Sequence, residues 1–430
     1  MLRYPDEMRL FLLGLLALFA PTTGVDDPPE MPEDVVTLAK GRPAKGILLR
    51  NDSSGIWLGQ KSKVKHYEVS EVVELTGPRA SYPEYIEKMR AEFNEQPDAE
   101  RCVAMAEWCK ERGLVRDANL YYWRALLDNP TDDAAHEGLG HKKSRGVYRI
   151  PVKGHGKMSV TELREHRASE FDECWKLTTT HFDVEAAGDL PDVLAACADL
   201  EMVYSSFYQE FQETVGFWDL REPLRIRIYP TLDDMPPASG TVEAYFHTGT
   251  RTVYTYFRDG VARELVHEGV HAILYGAVRE FARNDPATPG WLGEGIAEYM
   301  EHHLIGNPGD RTLVTSPIHL PSLETHLDHE RPDSMQRVLN YQKSDYFAST
   351  GQDLKYAQSY GLVYYLLHSG DDELRDGMNR FLASVFERKG SSSHFKDAMK
   401  IRKWDDFEED WIAYLEEQRN AAKNAARAGG

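Results

Sequence analysis

Two short segments constrain this chain more than anything else in it. Val261 to Gly276 reads VARELVHEGVHAILYG, and Pro289 to Glu301 reads PGWLGEGIAEYME. In the first, Val261, Leu265, Val266, Val270, Ile273 and Leu274 recur at helical spacing, which predicts a helix with an apolar face. His267 and His271 then project from one side of that helix, about 6 Å apart. Two imidazoles at that separation can share one zinc ion, each bonded at about 2.0–2.1 Å. Glu268 stands beside the first of them, where a carboxylate reaches a metal-bound water without ligating the metal. This is the general-base position of a His-Glu-x-x-His site. In the second segment Pro289 can open a helix, and Glu294 and Glu298 lie one turn apart on the same face. A His/His helix facing a Glu/Glu helix can close a site of two His and one Glu, with its fourth position open to water.

A chain of 430 residues can bury the core such a pair of helices needs, and suffices for two or three domains at roughly 150 residues each. Its 41% apolar and 28% charged residues exclude a mostly disordered or fibrous protein. Acidic residues outnumber basic ones, 70 to 50, for a formal charge of −20. That balance excludes a general affinity for nucleic acid, which rests on Lys and Arg neutralising phosphates. The four cysteines are too few for a disulfide framework, and no Cys-x-x-Cys pair occurs. Cys102 and Cys109 stand seven residues apart on one expected helix, about 10 Å along its axis, so they cannot bridge; pairing of Cys174 with Cys197 stays open.

The amino terminus carries an apolar run, Leu10 to Ala20 (LFLLGLLALFA). A spanning helix needs about 20 such residues, so the run has the length of a signal-peptide core, and residues 1–24 are expected to direct export. The other reading of this segment is an uncleaved anchor. An Asp- and Pro-rich linker follows. Over residues 34–75 short apolar runs alternate with turn signals, which predicts a small SH3-like, barrel-like β module, acting either as a docking unit or as a passive cap. Residues 83–145 turn helical. Ala106, Gly113, Ala118, Tyr122, Ala125 and Pro130 resemble one tetratricopeptide unit, and a single unit must pack on its neighbours.

Gly138 to Gly156, rich in Gly, Lys and His, marks a boundary. Beyond it the expected fold class is α+β: strands at THFDVEA and LRIRIYP with a helix at 189–213 between them, a hairpin or edge strand at AYFHTGTRTVYTYF, then mainly helices to about 417 and a frayed tail over 418–430. His247 falls in the edge strand, where a peptide substrate can pair by strand addition, though the simpler reading is a surface His. His302 and His303 are expected in solvent, His319, His326 and His329 have no ligand spacing, and the acidic run at 405–410 reads as a solvated helix face.

HEGVH followed by WLGEGIAEYME resembles the thermolysin-like zinc metallopeptidases, the gluzincins of the peptidase MA-like superfamily. It resembles more closely an exported, uncharacterised branch with a W-L-x-E-G-x-A-E-Y signature. The likeness spans roughly Leu177 to Leu415, so residues 160–417 are expected to form a gluzincin-like, mainly helical domain with a small sheet. The resemblance implies zinc held by His267, His271 and Glu294, with Glu298 orienting His267 from behind and Glu268 as general base. It also implies a Tyr or His that stabilises the oxyanion; Tyr356 and Tyr360, ahead of the apolar stretch GLVYYLLH, are the candidates. The implied activity is hydrolysis of a peptide or protein substrate, with a further protein partner conceivable for the amino-terminal modules. Two other readings stay open: a catalytically silent scaffold of the cell envelope that keeps the zinc fold, and a structural envelope protein that binds no metal.

Overall fold

The structure, a computed structural model, describes residues 29–61, 63–94, 97–215, 217–236, 243–257, 263–282, 288–304, 318–346 and 350–429. The expected signal segment lies outside them. No helix among the described residues is long and apolar enough to cross a membrane.

The chain is α+β. It begins with five strands, β1 (Asp34–Leu38), β2 (Ala44–Asp52), β3 (Gly55–Gln60), β4 (Lys63–Tyr67) and β5 (Val72–Thr76), in the spatial order β4-β3-β2-β1-β5. All neighbours are antiparallel. β2 pairs with β1 through its first residues and with β3 through the rest, with an irregularity between Leu48 and Arg50. The strand bends so that Val36, Leu48, Ile56 and Leu58 close a small core of their own. The barrel-like expectation is corrected here: β4 and β5 do not pair, and the sheet stays open. β4 has no buried residue to hold it against a partner.

Four helices come next: α1 (Pro78–Asn94), α2 (Ala99–Glu111), α3 (Val115–Asp128) and α4 (Asp133–Gly138). α2 and α3 pack together as the tetratricopeptide-like spacing anticipates, with Ala106, Ala118 and Ala125 fully buried. Asp98 caps α2 by accepting the Arg101 N–H. Their buried residues run without interruption into the large hydrophobic cluster of the rest of the chain, from Tyr85 to Leu415. The helical segment is therefore welded to the sheet and helices that lie beyond it.

Two short hairpins, β6 (Lys143–Ser144) with β7 (Val147–Tyr148) and β8 (Ile150–Val152) with β9 (Gly156–Met158), lead to α5 (Val160–Arg167). A second five-stranded sheet holds β10 (Trp175–Thr178), β11 (Phe182–Ala186), β12 (Leu224–Tyr229), β13 (Tyr245–His247) and β14 (Thr252–Tyr256), ordered β10-β11-β12-β14-β13. β11, β12 and β14 are parallel; β10 and β13 run antiparallel at the two edges. The buried side chains of β11, Phe182, Val184 and Ala186, alternate with less buried ones, as a sheet covered on one face requires. The cover is α6 (Leu190–Val215), which lies between β11 and β12 in sequence, and α7 (Arg263–Ala282). The remaining helices are α8 (Gly290–Leu304), α9 (Leu320–Leu327), α10 (Met335–Val338), α11 (Gln352–His368), α12 (Asp372–Phe386), α13 (Ser392–Ala398) and α14 (Trp404–Gly429). α8 packs between α7 and α11 and also touches α6. All four cysteines are buried and free, Cys174 and Cys197 included.

Candidate metal centre

α7 is held by apolar burial. Leu265, Val266, Val270, Ala272, Ile273, Leu274 and Ala277 are all at or below 5% exposure, which fixes the helix's rotation and aims His267 and His271 at α8. α8 is equally anchored by Trp291, Leu292, Ile296, Ala297, Tyr299 and Met300, and presents Glu294 to the two rings. Gly295 permits the close crossing of α8 and α11: a Cβ there would stand 2.6 Å from the Ser359 carbonyl oxygen.

The geometry that results is convergent. His267 Nε2 lies 3.2 Å and His271 Nε2 3.3 Å from the same oxygen, Glu294 Oε2. The two rings meet edge to face with centroids 5.0 Å apart. These separations lie at the long end of the hydrogen-bond range and near the edge, about 3.3 Å, of a tetrahedron of ligands around zinc. His267, Glu268 and His271 each bring a ligand atom within 4.8 Å of the others. Two imidazoles and a carboxylate form a nitrogen-rich donor set of the kind that suits zinc better than calcium or magnesium. Burial works against the charge of Glu294, yet the His271 and His267 rings outweigh it and hold its carboxyl below the ordinary range.

Behind His267 lies a layer of carboxylates. His267 Nδ1 faces Glu301 Oε2 at 3.4 Å and Glu298 Oε1 at 3.8 Å. Glu298 Oε2 in turn lies 3.5 Å from His302 Nε2. Glu298 thus stands near His267 as the resemblance implies, but Glu301, which the motif spacing alone does not single out, is the nearer carboxylate. His302 corrects an expectation: it is buried, stacked on His319 with centroids 3.6 Å apart, instead of solvated. The side chain of His303 lies outside the described residues.

Glu268 occupies the other side. Its Oε2 accepts the backbone N–H of Phe246 at 2.7 Å, so the edge strand β13 orients the carboxylate. That N–H points away from β14, and Glu268 accordingly sits at the open edge of the sheet. His247 is exposed and closes its own turn by accepting the Thr250 N–H at 3.1 Å.

Residues 261–385 match the family model described as a protein of unknown function (DUF1570). No curated protein matches the chain. The matched stretch is under a third of the sequence, yet it contains His267, Glu268, His271, Glu294, Glu298 and Glu301.

The two tyrosines part company. Tyr356 lies beside the centre, its ring centroid 6.2 Å from that of His267. Burial first, then the charges of Glu294, Glu298 and Glu268, push its phenol far above the usual range, so it stays protonated and able to donate. Tyr360, fully buried, uses its hydroxyl to accept the backbone N–H of His319 at 2.8 Å and stacks on Tyr364. It lies one turn further along α11, with its ring 5.6 Å from that of His302. Tyr346, which carries no signal in the sequence, backs Tyr356 at 4.9 Å and shares a hydrogen bond with Ser359.

Proposed function

We propose that this chain is an exported zinc-dependent peptidase of gluzincin type, acting on peptide or protein substrates, with His267, His271 and Glu294 as the metal ligands. The observation that carries this reading is the meeting of His267 Nε2 and His271 Nε2 at one oxygen of Glu294, with Glu268 alongside. A site closed for structure alone tends to have four protein ligands and has no use for a carboxylate in the position of Glu268. Zinc bound there supplies Lewis-acid polarisation of a carbonyl and a water of lowered pKa.

The remaining work belongs to the chain's own residues. Glu268, fixed by the Phe246 N–H through one oxygen, has its other oxygen to accept a proton from the attacking water and return it to the leaving amine nitrogen. Glu301 stands nearest His267 Nδ1, with Glu298 at 3.8 Å adding its charge, and together they would keep the Nε2 lone pair turned toward the metal position. Tyr356, held protonated, donates to the oxyanion that forms on the substrate carbonyl.

The test is hydrolysis of a casein-type substrate by the mature chain, with and without chelator, against Glu268→Gln. Activity lost with chelator, restored by zinc, and reduced at least about 10²-fold in Glu268→Gln supports the reading. Zinc retained with no hydrolysis of any substrate favours the silent scaffold; no zinc in a folded chain rules out both.

A further inference from the structure

A second cluster of metal-ligating side chains lies far along the chain from the His267 centre and shares no residue with it. His155 sits at the tip of the β8–β9 hairpin, His166 in the last turn of α5, and Glu173 at the end of the short 3-10 turn Phe171–Glu173. His155 Nε2 lies 3.4 Å from Glu173 Oε1, and His166 Nε2 lies 3.4 Å from Glu173 Oε2. The rings stand 4.5 Å apart between centroids, and one ligand atom of each residue lies within 4.8 Å of the other two. Both imidazoles thus aim the nitrogen that would bind a metal at one carboxylate.

Two features go beyond chance proximity. His166 Nε2 is buried and makes no hydrogen bond, a cost for a polar atom that a ligand would remove. The hairpin that carries His155 is shaped to deliver it: Gly154 and Gly156 flank it at φ +83° and +87°, values open to glycine at little cost, and the His155 N–H closes the turn on the Val152 carbonyl. The His155 side chain remains 44% exposed, which leaves a path for an ion and for water to complete the coordination.

We propose that His155, His166 and Glu173 form a second divalent-metal site, of zinc type, that clips the β8–β9 hairpin to α5 and the turn after it. Two imidazoles and a carboxylate select a borderline transition ion over calcium or magnesium. The site stands independently of the peptidase reading, since neither centre supplies a ligand to the other.

Zinc per chain, measured by elemental analysis of the full-length protein after zinc loading and gel filtration, tests it. The doubly substituted His155→Ala, His166→Ala chain should carry one equivalent less than the unsubstituted protein. Glu294→Ala should remove a different equivalent, so the two losses add when the variants are combined. Equal zinc in the unsubstituted and doubly substituted chains overturns the proposal, whatever Glu294→Ala does. Should the double variant not fold, Glu173→Gln, at the partly exposed carboxylate, carries the same test with the same expected loss and the same overturning result.

Discussion

At His267 the Nδ1 edge faces Glu301 at 3.4 Å and Glu298 at 3.8 Å. Removing a carboxylate that orients a ligating imidazole typically costs about 10–100-fold in metal affinity. Glu301→Gln should therefore weaken zinc binding by that order, and more than Glu298→Gln does, in a competition titration against a chromophoric chelator. Elsewhere, Asp117 is fully buried, accepting the N–H and the hydroxyl of Thr180. Burial first, and the Glu201 charge second, push its carboxyl up to about 7. An acid raised in this way holds its proton when folded and has lost it when unfolded, so stability falls as pH rises from about 4 to 7, with a slope of at most about 1.4 kcal/mol per unit. Asp117→Asn keeps an acceptor for the Thr180 N–H and offers its amide N–H to the Thr180 hydroxyl, which then accepts where it donated to Asp117. Its denaturant midpoint should lose that decline, measured at pH 5 and 7.5. The pairs His267 with His271 and Glu294 with Glu298 were legible because helix geometry ties i and i+4 to one face, while the choice of Glu294 as the proposed third ligand came from the resemblance. Glu301 and His302 lie at the next helical offsets on the stripe of Glu294 and Glu298, but the i, i+4 motif stops short of them and does not single them out. His155, His166 and Glu173 carry no such signal, since turns brought them together.

Among the elements, α8 depends on its contact with α11. An alanine at position 295 would drive a methyl into the Ser359 carbonyl, and overpacking of that kind costs about 1–3 kcal/mol. Gly295→Ala should lower the unfolding midpoint accordingly and reduce zinc affinity, because Glu294 rides on the displaced turn. The sequence marked the strands at 182–186 and 224–229, the helix between them and the hairpin over 245–256, where alternation or helical period extends over several residues. It missed β10, whose four residues WKLT are too few to establish a period. The open edge of the amino-terminal sheet was illegible for another reason: closure depends on how far β2 bends, and no local pattern reports that angle.

On the scale of the whole molecule, a buried ionic chain joins the amino-terminal helices to the sheet. Arg79 of α1 pairs with Asp219 at 2.6 Å; Asp219 lies 3.5 Å from His181; His181 Nδ1 meets Glu201 Oε2 at 2.8 Å; and Tyr82 donates to that same carboxylate. Burial opposes the charge of Asp219, but Arg79 and His181 hold its carboxyl far below the usual range. A carboxyl lowered on folding stabilises above its unfolded value near 3.8, and that contribution is lost as pH falls. His181, raised by Glu201 and Asp219 against the effect of burial, stabilises at low pH and loses that contribution as pH rises through its folded value. Arg79→Met leaves Asp219 only His181 and Tyr204 and should lower the urea midpoint, by less than the about 3–5 kcal/mol of a fully unpaired buried charge. Since α1 to α4 share one core with the remainder, a chain lacking residues 78–138 should fail to fold, whereas the β module has its own core. The match over residues 261–385 thus falls within a larger cooperative unit.

An anomalous difference map, collected at the zinc absorption edge from crystals of the zinc-loaded chain, bears straight on whether α7 and α8 hold a metal between them. A peak is expected about 2.0–2.2 Å from His267 Nε2, His271 Nε2 and a carboxylate oxygen of Glu294. A map without that peak, or with zinc held by Glu298 or Glu301 in place of Glu294, would contradict the ligand set and the peptidase reading built on it.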